Sequence, residues 1–73
     1  MDERIYELMS KLLGVSKGDL NMDSSMETLS GWDSLKHMEI IASIEEAWEI
    51  TLLPDDIISM ISVAKIKEVL EKQ

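Results

Sequence analysis

Seventy-three residues with fifteen acidic and seven basic side chains carry a formal charge of −8, and 45% of the chain is hydrophobic. That is enough for one domain, residues 1–73, with a core of about a dozen side chains and no room for a second catalytic unit. Without cysteine there is no disulfide, thiolate metal site or cysteine nucleophile, and a single arginine in so acidic a chain excludes nucleic acid as a partner.

From Asp2 to Leu13 the apolar Ile5, Leu8, Met9 and Leu12 recur at intervals of three and four, with Glu3, Arg4, Glu7 and Lys11 between them. This spacing predicts an amphipathic helix that Gly14 stops. Tyr6 reads as a packed ring with a wet hydroxyl. Met1-Asp2-Glu3-Arg4 has neither the basic start nor the apolar core of a signal peptide, and no apolar run approaches the ~18 residues of a membrane span. The expectation is a soluble cytoplasmic monomer.

Residues 15–33 form a long connection containing Gly18 and Gly31, spaced by Val15, Leu20, Met22, Met26, Leu29 and Trp32. These apolar residues should pin it across one end of a bundle, since unstructured loops of this length are uncommon in small domains. Asp19, Asp23, Ser24, Ser25 and Glu27 lack the alternating ligands, central glycine and terminal glutamate of a calcium loop. No metal site is expected.

Asp33 suits an N-cap, and helical spacing without Gly or Pro then runs from Ser34 to about Trp48. At 100° per residue, His37, Ile40, Ile41, Ile44 and Trp48 share one side and read as core. Leu35, Met38, Glu39, Ala42, Glu45, Glu46 and Glu49 lie on the other. Apolar Leu35 and Met38 ringed by carboxylates read as a docking face for a partner with basic patches, and the bland alternative is an ordinary solvated surface. Replacing Glu39 or Glu45 by lysine should therefore weaken binding while leaving folding nearly intact. Ser34 falls in the first turn, where unpaired N–H groups and the helix dipole favour a phosphate ester. His37, the only histidine, has no orienting acid behind it, so a hydrolytic triad is not expected.

Pro54, Asp55 and Asp56 start a third helix with room for one or two turns, holding Ile57 and Ile58. Ser62 caps a last helix from Val63 to about Glu71, with Val63, Ile66, Val69 and Leu70 inward and Lys65, Lys67, Glu68 and Lys72 toward water. The basic residues of this tail create a charge asymmetry away from Ser34. Three longer helices, one short one and no strand pattern predict an all-α fold, a small antiparallel bundle. Met9, Met22, Met26 and Met60, where inward, give its core some capacity to reshape around an apolar guest.

Asp33-Ser34-Leu35, opening a helix with an acidic outer face, resembles the attachment motif of the acyl carrier protein family, and the similarity extends over nearly the whole chain. The resemblance implies that Ser34 receives 4'-phosphopantetheine from coenzyme A through a phosphopantetheinyl transferase, with Asp33 and Leu35 flanking it. The chain would then present acyl thioesters as a freestanding carrier and perform no catalysis. It further implies that acyl-loading, acyl-modifying and acyl-transferring enzymes dock on Leu35, Met38, Glu39, Ala42, Glu45 and Glu46, and that the short third helix shifts when cargo enters. Lys36 departs from the acid common at that position, which sets recognition by housekeeping fatty acid enzymes apart. Trp32 is more similar to specialised or polyketide-type carriers. His37 reads as a polar residue lining the inner side near the arm, or more sharply as a pH-sensitive switch. An unmodified acidic interaction adaptor and an aminoacyl or peptidyl carrier remain the alternatives.

Overall fold

The computed structural model describes residues 2–73. Helix α1 (Asp2–Leu13) is followed by a 3-10 turn (Lys17–Asp19), then α2 (Ser34–Trp48), α3 (Pro54–Ser59) and α4 (Val63–Glu71). The fold is all-α, a bundle of three longer helices and a short one, as the periodicity predicts. No strand occurs among the described residues.

Helix ends follow from capping chemistry. Gly14 adopts φ 70°, a left-handed conformation open to glycine at little cost, and turns the chain out of α1. The Gly14 and Val15 amides both reach back to the Ser10 carbonyl, at 2.9 and 3.3 Å. Asp33 caps α2, its carboxylate accepting from the Lys36 amide at 2.8 Å, and Ser62 caps α4 by accepting from the Lys65 amide at 3.2 Å. Helix α2 ends on Glu49, which takes the left-handed conformation at φ 55° without being glycine.

Thirteen apolar side chains are buried among the described residues, close to the number that chain length allows. Helix α1 packs on α2 and α4, and α3 packs on α4. Met9 and Met60 are fully buried, whereas Met22 and Met26 are half-buried against the same core. The long connection is anchored by buried Leu20 and Trp32 and by half-buried Val15, Met22, Met26 and Leu29. Beyond those anchors, its backbone serves α4. The Ser24 and Met22 carbonyls accept from the Val63 and Ala64 amides at 2.9 and 3.1 Å, while the Met26 amide donates to Ile61 at 3.0 Å. An isolated antiparallel bridge, Ser25 with Ser62, results. The free amides at the start of α4 thus find their partners in a distant loop.

Two sequence expectations need correction. Trp48 is at the rim, half-buried, with the Arg4 guanidinium 4.2 Å above its ring. Arg4 also donates to the Ala47 carbonyl at 2.7 Å, satisfying a backbone group at the end of α2 that helix geometry leaves free. Lys67 does not simply face water: it is half-buried and pairs with Asp2 at 3.1 Å, tying α4 to α1.

Candidate functional site

Ser34 is exposed at the first helical position of α2. The Asp33 carboxylate occupies the Lys36 amide, and the Asp33 carbonyl accepts from His37 at 2.8 Å. Helix geometry gives the Ser34 and Leu35 amides no partner inside α2, so they face outward beside the hydroxyl. An anion joined to the Ser34 oxygen would meet those amides and the positive end of the helix dipole.

Around Ser34 the exposed surface is apolar with a charged border. Leu35 is 76% exposed, Met38 is exposed as well, and Glu39, Ala42 and Glu46 continue the face along α2. Lys36 lies 2.9 Å from Glu39, so its positive charge is largely answered within the helix. As a pair on the surface it contributes little to stability. Glu45 differs from its neighbours. It is half-buried, and its carboxylate accepts from the Leu52 amide at 2.8 Å, holding the α2–α3 connection in place. The expectation that Glu45 can be replaced without cost to folding is therefore corrected.

The structure adds apolar surface that helical spacing in α2 does not reveal. Ile58 in α3 is 72% exposed, and Leu53 and Ile61 at either side of α3 are exposed too. A hint lies in the run Ile57-Ile58: a six-residue helix packed on one side cannot bury both, and Ile57 is the one that packs.

On the inner side, one turn from Ser34, His37 is 8% exposed and Trp32 is 2% exposed. The Trp32 indole Nε1–H donates to His37 Nδ1 at 3.1 Å, and their rings stack with centroids 6.0 Å apart. An indole nitrogen only donates and a carbonyl only accepts, so the two bonds together fit the tautomer with its proton on Nε2, which donates to the Ile57 carbonyl at 2.8 Å. Ile57 lies in the last turn of α3, where carbonyls have no intrahelical partner. His37 therefore caps α3 from across the bundle. Each such bond contributes about 1 kcal/mol net, but orphaning a buried partner costs about 1–3 kcal/mol.

The family model described as "Phosphopantetheine attachment site" matches residues 3–70. An acyl carrier protein of Guillardia theta is 37% identical over 60 residues, covering 82% of this chain and 73% of the relative. One from Exiguobacterium sibiricum is 28% identical over 69 residues, covering 94% of this chain and 87% of the relative. The chain belongs to the acyl carrier protein family. Acyl carrier proteins bear phosphopantetheine and act as carriers rather than catalysts, meeting acyl-handling enzymes in turn. No helix among the described residues is long and apolar enough to cross a membrane.

Proposed function

We propose that Ser34 is the attachment point of 4'-phosphopantetheine and that the whole of 1–73 works as one carrier domain for acyl intermediates of fatty acid, polyketide or specialised biosynthesis. The observation that carries this reading is an exposed serine at the first turn of α2, behind a formed Asp33 cap, in a chain whose family match spans residues 3–70. The residues fit the group. A phosphodiester on the hydroxyl would meet the outward Ser34 and Leu35 amides, and among the described residues none is folded over the exposed Ser34. Attachment replaces the hydroxyl proton by the phosphopantetheinyl group of coenzyme A, with adenosine 3',5'-bisphosphate leaving. The bound arm supplies a thiol that this cysteine-free chain lacks. A reducing compartment such as the cytoplasm suits that thiol.

Leu35, Met38, Glu39, Ala42 and Glu46 form the face on which the transferase and acyl-handling enzymes dock, with Ile58 of α3 adding apolar area. Glu45 contributes charge there while bracing the loop to α3. The Lys36–Glu39 pair makes the surface next to Ser34 less acidic than the rest of α2, which favours partners that read apolar contact at the serine and charge further along.

Incubation with coenzyme A and a phosphopantetheinyl transferase should raise the intact mass by one phosphopantetheinyl group, and Ser34→Ala should abolish the gain. A folded wild-type chain that gains no mass would leave the interaction-adaptor reading in its place.

A further inference from the structure

We propose that the bond chain Trp32–His37–Ile57 shuts the bundle on the inner side of Ser34, so that this carrier bears short or polar acyl groups outside the fold instead of drawing an alkyl chain between α2 and α3. The inference rests on Ser34 as the attachment point and names the cargo class it serves.

Trp32 is the bulkiest of the fully buried side chains among the described residues, it belongs to the same core cluster as Ile40, Ile41 and Met60, and every buried side-chain polar atom of the described residues is bonded. Helix α3 has no buried residue of its own. It is held to α2 by two side chains: His37, which donates to the Ile57 carbonyl, and Glu45, which accepts the Leu52 amide just before it. An alkyl chain entering between the helices has to part His37 from Ile57. That leaves the Nε2–H and the carbonyl unpaired and disturbs the Trp32 indole that orients the ring. Burial of roughly three to eight methylenes is needed before the hydrophobic gain offsets two orphaned groups, and loosening the Trp32 donor as well puts the requirement in the upper half of that range. Acetyl- to hexanoyl-sized groups stop short of it, and a polar acyl group cannot reach it. Such cargo has no reason to leave the surface, where Leu35 and Met38, exposed on the same helix as Ser34, are its apolar neighbours.

The test loads the full chain, by transferase, with butyryl, hexanoyl and octanoyl groups from the corresponding acyl-coenzyme A. Thioester cleavage by hydroxylamine is compared with that of each free acyl-coenzyme A, and α3 amide exchange is followed in the unloaded chain. Butyryl and hexanoyl thioesters should be cleaved within about twofold of the free acyl-coenzyme A, because no closed state shields them. In His37→Val the α3 amides should exchange about tenfold faster, and hexanoyl should become at least about threefold protected as the opened space accepts it. Trp32→Phe, which keeps a ring but removes the indole donor, should move both readouts in the same direction and serves if the valine variant does not fold. Protection of hexanoyl in the wild type, or α3 exchange and protection unchanged in the variants, would overturn the proposal. A chain that takes up no mass at all defeats the attachment reading and the cargo class with it, whereas a loaded chain that shields hexanoyl defeats only the latter.

Discussion

Glu45, Glu46 and Glu39 share one side of α2 and differ in what their carboxylates touch. Glu46 is exposed, Glu39 pairs with Lys36, and Glu45 accepts the Leu52 amide. Glu45→Lys should therefore destabilise the fold by about 1–3 kcal/mol by orphaning that amide, and Glu46→Lys should stay within about 0.5 kcal/mol. Urea melts of the two variants check this, and equal midpoints would remove the bracing role. Glu49 offers a change of the opposite sign. It holds a left-handed conformation at the negative end of the α2 dipole, unfavourable both for a residue with a Cβ and for a negative charge. Glu49→Gly should stabilise by about 0.5–1.5 kcal/mol, read as a raised urea midpoint with unchanged slope. Helical spacing assigns all three glutamates to one face, but which of them has a backbone partner depends on a loop seven residues further on.

At the scale of elements, α1 is held by charge as well as by its apolar stripe. Lys67 of α4 pairs with Asp2, and Lys17 in the 3-10 turn pairs with Glu3 at 2.7 Å. Hydrogen bonding to Asp2, with its negative charge, holds the Lys67 ammonium above its ordinary range, and hydrogen bonding to Glu3 does the same for Lys17. A folded-state pKa raised above the unfolded one gives stability that is fully present below the unfolded value and is lost as pH rises through the folded value. Titration of the ammonium groups should thus leave the contribution constant through neutral pH and remove it in strongly alkaline solution. Lys67→Met should flatten that alkaline decline, measured by urea melts across pH. The Lys17 pair is exposed and the half-buried Lys67 pair still meets solvent, so added salt should weaken the effect. Helix α3 stands apart from the others: a six-residue helix without a buried residue depends on α4 packing and on His37 and Glu45. It is the element with least to hold it, and its opening should precede global unfolding.

Over the whole molecule, a charge of −8 on a body with a radius of gyration of 10.9 Å produces a field that steers basic partners from a distance. The lysines of α4 and its C-cap do not act as a free basic pole, because Lys65 and Lys72 pair with Glu68 and Lys67 pairs with Asp2. Glu39→Lys should weaken association with the transferase more at low salt than at high salt, since exposed charges are screened over roughly 10 Å at 0.1 M. Titrations at two ionic strengths check this, and equal loss at both would assign Glu39 a contact role. The helix bounds, the caps at Asp33 and Ser62, the stop at Gly14 and the exposed position of Ser34 were all readable from residue order, because each depends on neighbours within a few residues. Tertiary structure alone decided that Trp48 sits at the rim under Arg4, that Glu45 braces the Leu52 amide, that the 15–33 connection pairs with the start of α4, and that His37 caps α3. Those are contacts between residues seven to forty-four positions apart, where a hydrogen bond needs its partner brought close in space and periodicity along one helix carries no record of it.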